Sequence, residues 1–318
     1  MAKDFSTPQR NSHWRLNAKL APYALLTPFV LLFLVFGLFP LLFSLFLAFQ
    51  SWEPTSGLGS MTYVGLDNFI FTLEDEWFWK SIQNTFWLAA VSGIPQHLVA
   101  IPLACVIQAQ FKRTRNATVG AYFLPYITST VAIAMMFSTL FSTDYGLINQ
   151  AIAKLAQLPL LGGLFAQRPI DWLGESQFIK PAISFVVFWR YVGFNTVLYL
   201  AALQTIPKDM YEAATMDGAN PWKQFWHITL PSLKPMIFFG VTLSLIGGLQ
   251  LFEEPFILTG GRGGTDQSGM TTAMYMYRTA FDFNDFGTAS ALSWILFVFV
   301  AVLTWLTNLA FKSNEGEA

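Results

Sequence analysis

The stretch EAATMDGANPWKQFWHITLP, residues 212–231, interrupts a chain that otherwise passes from one apolar run to the next. Of the 318 residues, 54% are hydrophobic and 12% charged. The charged share of an ordinary soluble domain is about 25%, so lipid is the expected surroundings and the polar interruption needs a reason. The formal net charge is −1 and no basic block is present, which disfavours nucleic acid as a partner. Cys105 is the single cysteine and lies in an apolar run. It permits no disulfide framework or cysteine-based metal site within the chain and reads as an inert buried thiol.

A spanning helix needs about 20 predominantly apolar residues. Six runs meet that need: 22–49, 82–111, 117–142, 181–206, 236–258 and 286–311. The fourth is interrupted only by Arg190, and the fifth is uncharged as far as Phe252. The expected class is therefore all-α, an integral membrane protein with six transmembrane helices and both termini on one side. Residues 1–21 form a tail in which Lys3, Arg10, Arg15 and Lys19 precede a retained anchor, and 312–318 form a second tail. With the N-terminus inside, the inner segments also hold Lys112, Arg113, Arg115, Lys208, Lys223, Lys234 and Lys312. The outer segments hold fewer: Lys80, Lys154, Arg168, Lys180, Arg262 and Arg278. The positive-inside rule thus places both termini, and the insert, in the cytoplasm. Residues 155–167, with Pro159, Gly162 and Gly163, read as an extracytoplasmic loop element, with a re-entrant turn as the alternative.

Between spans four and five, residues 207–235 carry the punctuation of two short helices. Pro207 suits a first helical turn, Asp209 and Glu212 suit its positive end, and Gly218 suits a left-handed C-cap. Asn220 is a good N-cap and Pro221 a good first residue of a second helix, which Pro231 is expected to stop. The first helix would present Tyr211, Glu212 and Thr215 on adjacent turns. The second carries Trp222, Phe225 and Trp226 and could lie in the lipid headgroups. The first has little apolar face, so a protein partner explains it better.

The sequence ALQTIPKDMYEAATMDGANPWKQFWHITLPSLKP resembles the EAA loop of the permease subunits of bacterial ABC importers, in the carbohydrate-uptake group that includes the maltose, glycerol-phosphate and lactose permeases. Glu212, Ala213, Ala214, Gly218, Ile228, Leu230 and Pro231 carry the match. YVGLDNF, WKSIQNTF, YFLPYITSTVA, FILTGG and DFGTASALSWILF extend the likeness along nearly the whole chain. Two departures stand out: Arg262 where the group usually has Pro after LTGG, and Arg190 inside span four.

The resemblance implies a type I importer permease fold. It further implies a cytoplasmic ATPase dimer holding ATP and Mg, a second related permease in a heterodimer, and an extracytoplasmic sugar-binding protein. Tyr211, Glu212, Ala213, Ala214, Thr215, Asp217 and Gly218 would couple to the ATPase. The chain has no phosphate-binding loop of its own: GGRGGT lacks the Gly-Lys-Ser/Thr ending. Energy is therefore expected from another subunit, and no catalytic residue, cofactor or metal is expected here. His13, His97 and His227 are too scattered for a metal site.

For the substrate pathway, Arg190 lies about 16 Å from the outer end of its span at 1.5 Å per residue. An arginine at that depth needs a partner or a wet cavity. It shares an arc with Phe194 and Tyr191, flanked by Trp189 and Asn195. On span five, Ser244, Gly247, Gly248, Gln250, Leu251 and Glu254 fall on one helical face, with Glu253 projecting away. Glu254 is therefore the expected pathway carboxylate. The resemblance to the maltose-type permease implies sugar contacts at 190, 191, 194, 244, 247, 248 and 251. A structural ion pair for Arg190, and close helix packing for Gly247 and Gly248, remain open alternatives. An ion-coupled secondary transporter would need coupling-ion groups and internal repeats, which the six spans do not show.

Overall fold

The computed structural model describes residues 21–110, 114–157 and 169–312, with side chains to 309. The two expected tails, apart from Ala21 and Lys312, and most of the expected loop element at 155–167 lie outside the described residues. The architecture is helical apart from a two-stranded antiparallel ribbon, β1 (Gln50–Ser51) and β2 (Thr62–Tyr63).

Helix α1 (Ala21–Leu47) is the first span, and it is almost wholly exposed. Leu25, Phe29, Phe36 and Phe39 face outward, as a lipid-facing surface requires. The short α2 (Asp67–Glu74) leads into α3 (Glu76–Gln110), 35 residues long. At 1.5 Å per residue α3 measures about 52 Å, so it overruns the roughly 30 Å hydrocarbon layer. Asp75 starts it by accepting the Trp77 N–H at 2.9 Å.

The run at 117–142, expected as one span, is broken. Helices α4 (Arg115–Ile127) and α5 (Thr130–Leu140) meet at 91°. Thr128 and Ser129 are extended, with ψ of 146° and 129°. Pro125, which lacks an N–H, weakens the last turn before the bend. Helix α6 (Leu147–Ala156) follows, then α7 (Ser176–Leu203), the fourth span. Helices α4 and α7 cross so closely that a Cβ on Gly193 would stand 1.7 Å from the Tyr122 carbonyl oxygen.

The elbow consists of α8 (Lys208–Met216) and the start of α9. Helix α9 comprises Pro221–Gln224, a π turn at Phe225–Thr229 and Leu230–Leu249. Pro231 therefore does not stop the second elbow helix, which runs on into span five. The wider π turn, in which the Leu230 N–H reaches the Phe225 carbonyl, absorbs the bond that Pro231 cannot donate. The fifth span breaks at Gln250–Phe252 and resumes as α10 (Glu253–Leu258). Pro255 lies in the first turn of α10, where a missing N–H costs nothing. The outer α11 (Thr272–Phe281) and the last span, α12 (Phe286–Lys312), complete the chain.

Three apolar clusters hold the bundle. The outer one joins Leu88, Phe137, Val186 and Leu258; the inner one joins Ile107, Tyr199, Leu203 and Leu233. The third packs Phe78 and Ile82 on Leu292. On the outer side the Tyr275 hydroxyl donates to Asp75, tying α11 to the start of α3. Burial, and then that bond, push the Tyr275 phenol above its ordinary value.

Candidate functional site: a four-span cavity and a cytoplasmic elbow

Spans two to five line a cavity of about 220 Å³. Helix α3 contributes Ser92 and Gln96, α4 contributes Tyr126, α7 contributes Tyr191 and Phe194, and α9 contributes Ser244, Gly247 and Gly248. Leu251 closes it at the break in span five. The Tyr126 and Phe194 rings stack at 4.5 Å, with Tyr191 edge-on to Tyr126 at 5.8 Å. An aromatic plate and hydroxyl and amide groups therefore line one cavity. Tyr126 reaches the cavity from the last turn of α4, just before the 91° bend.

Of the residues expected along the pathway, the structure brings together Tyr191, Phe194, Ser244, Gly247, Gly248 and Leu251. Trp189 packs instead on Phe137 at 5.3 Å. Asn195 is buried behind the wall and donates to the Gln96 carboxamide oxygen at 3.1 Å, orienting that side chain. Arg190 and Glu254 do not line the cavity. They form a buried ion pair, Nη1 to Oε1 at 2.5 Å, with side chains 12% and 3% exposed. The Arg190 guanidinium also lies 5.3 Å from the Tyr191 ring centre. The structural-pair alternative is thus the arrangement found. The single-face projection of span five holds for Leu251 but fails at Glu254, because the helix is interrupted before Glu253.

The two glycines have different surroundings. A Cβ on Gly248 would come within 2.8 Å of the Ala89 Cβ, so Gly248 permits close crossing of α3 and α9. Gly247 has nothing within 4 Å of such a position and opens onto the cavity. Sequence reasoning missed Ser92, Gln96 and Tyr126. Ser92 and Gln96 are four apart in an apolar run, a polar pair on one helical face. Nothing local marks Tyr126.

At the elbow, Gly218 has φ 78°. Its N–H bonds to the Thr215 carbonyl at 3.0 Å and the Ala219 N–H to the Ala214 carbonyl at 2.9 Å, the paired bonds of a Schellman cap. The Asn220 side chain then accepts the Lys223 N–H at 2.8 Å and starts α9. Tyr211 and Thr215 turn toward the second arm rather than outward. The Tyr211 hydroxyl is 3.0 Å from the Thr229 hydroxyl, and Gln224 donates to Thr215 at 2.9 Å. Glu212, Ala213, Met216 and Asp217 are exposed, and Ala214 is half-buried. Glu212 caps nothing in its own helix, whose N-cap is Pro207.

Residues 98–313 match the family model described as the binding-protein-dependent transport system inner membrane component. The arabinooligosaccharides transport system permease protein AraP of Bacillus subtilis (strain 168) is 31% identical over 317 residues, covering 97% of this chain and 95% of that protein. The lactose transport system permease protein LacF of Rhizobium radiobacter is 33% identical over 294 residues, covering 91% and 93%. Among solved structures, a chain of a bacterial ABC transporter involved in the import of the acidic polysaccharide alginate superposes with a TM-score of 0.79. It is 25% identical and covers 93% of this chain and 96% of its own. The break in span five, the capped elbow and the matched family thus coincide on one chain, which belongs to the binding-protein-dependent transport system inner membrane components as a permease subunit of an ABC importer.

Proposed function

We propose that this permease carries an oligosaccharide through the four-span cavity, and that the elbow receives the driving motion from a cytoplasmic ATPase dimer holding ATP and Mg. The observation that carries the sugar reading is the stacked pair Tyr126 and Phe194 lining one cavity with Ser92, Gln96 and Ser244. Rings cover the apolar face of a pyranose or furanose, and short polar groups answer its hydroxyls. The arabinooligosaccharide and lactose systems of the relatives agree with that chemistry. A sugar-binding protein on the outer side delivers the substrate. A second, related permease completes the pathway, since four spans of one chain leave it open on one side.

The elbow suits a lever. Its two arms are locked by Tyr211, Thr215, Gln224 and Thr229, and its second arm is continuous with span five. A displacement of α8 is therefore transmitted to Ser244 and Gly247 through one helix. Closure of the ATPases on the exposed surface of Glu212, Ala213 and Asp217 biases a two-state permease between its inward-open and outward-open forms.

Purification of the tagged chain from its native membrane tests both parts. The expected result is co-purification of a soluble ATPase whose hydrolysis is stimulated by a sugar-loaded binding protein. Uptake that persists without ATP, driven by an ion gradient, sinks the proposal.

A further inference from the structure

Asn195 lies on α7 with 1% of its surface exposed, inside a membrane span. Its amide nitrogen donates to the Gln96 carboxamide oxygen at 3.1 Å, and its own carbonyl oxygen has no partner among the described residues. A buried amide with an unmet acceptor destabilises a span relative to an apolar side chain, so its presence needs a reason. The one contact it makes ends at the cavity. Gln96 is 3% exposed and lines that space, and no partner among the described residues holds its amide nitrogen. With the oxygen committed to Asn195, the N–H groups are what Gln96 has left for a ligand.

Ser92, one turn earlier on α3, is committed in the opposite sense. Its hydroxyl donates to the Leu88 carbonyl at 2.7 Å, so only its lone pairs remain for a ligand. A donor and an acceptor therefore share one helical face of α3, about 5–6 Å apart between β-carbons. The Ser244 hydroxyl on the α9 wall, by contrast, has no partner among the described residues and can turn either way.

We infer that Gln96 is a substrate-touching residue of the cavity and that Asn195, one layer behind it, is the residue that positions it. Gln96 donates to a hydroxyl oxygen of the sugar while Ser92 accepts a hydroxyl proton from it. This rests on the reading of the cavity as the sugar pathway and adds a recognition pair, with its support, to that site.

A cysteine reporter at Gly247 reads occupancy of the cavity, since nothing lies within 4 Å of a Cβ there. Gly247→Cys is made in a Cys105→Ser background, in the full complex, and its reaction with methyl methanethiosulfonate is followed on this chain. The competing probe is whichever of arabinotriose, lactose and raffinose most raises the melting temperature of the system's binding protein. Gln96→Met, similar in length and without hydrogen-bonding groups of comparable strength, is expected to raise the half-protecting sugar concentration about fivefold, the loss of one neutral hydrogen bond. Asn195→Ala leaves Gln96 in place but unheld and raises it about threefold, through lost preorganisation. The double variant stays near the value of Gln96→Met alone and does not reach the roughly fifteenfold of independent sites, because Asn195 acts through Gln96. Reporter reactivity without sugar is the same in all three, which a change of cavity shape would not allow.

An additive double variant overturns the positioning role, and so does altered sugar-free reactivity in Asn195→Ala. Unchanged protection in Gln96→Met overturns the inference and leaves the cavity as the sugar pathway. If the sugar does not protect the reporter even with Gln96 and Asn195 intact, the cavity is not that pathway and both readings fall together. Should Asn195→Ala not assemble, Asn195→Ser, whose hydroxyl is too short to reach Gln96, takes its place in the same cycle.

Discussion

In the proposed transport cycle the elbow and the cavity act together, yet they are built in opposite ways. At the elbow the restraints are short in sequence: Ala219 to Ala214, Lys223 to Asn220, Gln224 to Thr215, with Tyr211 to Thr229 the longest at 18 residues apart. Around the cavity the partners are far apart: Arg190 and Glu254 are separated by 64 residues, and Gln96 and Asn195 by 99. The elbow can therefore move as one stiff piece while its internal bonds stay intact. The cavity cannot, because each wall belongs to a different span, and sliding any span changes its shape. On the proposed reading, coupling converts the first kind of rigidity into the second kind of deformability, through α9.

The hardest blow to this division falls on the cavity side. Gly193→Ala drives a methyl group into the Tyr122 backbone, where the ideal Cβ position is 1.7 Å from the carbonyl oxygen. Backbone cannot rotate aside as a side chain can, so α4 and α7 must separate, at about 3 kcal/mol or more. The expected outcome is a marked drop in assembled complex by size-exclusion of detergent extracts. Normal assembly would show that the α4–α7 crossing does not hold the cavity together.

Next in size is Gly218→Val. No atom crowds a Cβ there, so the cost lies in the left-handed φ of 78°, about 1–2 kcal/mol for a residue with a β-carbon. The two arms then meet at a changed angle. Transport is expected to fall at least tenfold while membrane insertion and cavity labelling are retained. Normal uptake in that variant sinks the lever account and leaves the cavity reading untouched.

The same contrast explains how much could be read from the sequence. The elbow's two helices, its Gly218 cap and its Asn220 start follow from residues within five positions of each other, and those rules are local. The apolar runs likewise announce their helices. The 91° break at Thr128–Ser129 and the interruption at Gln250–Phe252 were not legible, because prolines such as Pro95 and Pro102 sit inside an unbroken α3. Whether a proline bends a span is decided by packing with its neighbours. Projecting Glu254 into the pathway failed for that reason: the helical wheel assumed continuity across the interruption. Pro231 misled in the opposite sense, since a π turn accommodated it.

A smaller effect sharpens the cavity side. Phe194→Ala removes the ring that stacks on Tyr126, whereas Phe194→Leu keeps most of its volume. An aromatic contact contributes about 0.5–1.5 kcal/mol beyond buried area, so Phe194→Ala is expected to raise the half-saturating sugar concentration up to about tenfold. Sugar-independent ATPase activity should stay level, because the elbow's bonds are unaffected. Equal behaviour of the Ala and Leu variants would mean that the site needs bulk there and not a ring.

The smallest effect separates stiffness from angle at the elbow. In Asn220→Ala the Lys223 N–H loses its acceptor at the start of α9, while Gly218 and its φ are untouched. Loss of such a cap costs about 1 kcal/mol, enough to fray the first turn of α9 without redirecting it. Coupling is then expected to weaken by a few-fold, seen as more ATP hydrolysed per sugar carried. Asn220→Asp, which keeps the acceptor, restores the ratio. If Asn220→Ala transports with unchanged stoichiometry, the first turn of α9 is not part of the lever. The Tyr211 to Thr229 tie, which bypasses that turn, would then carry the motion on its own.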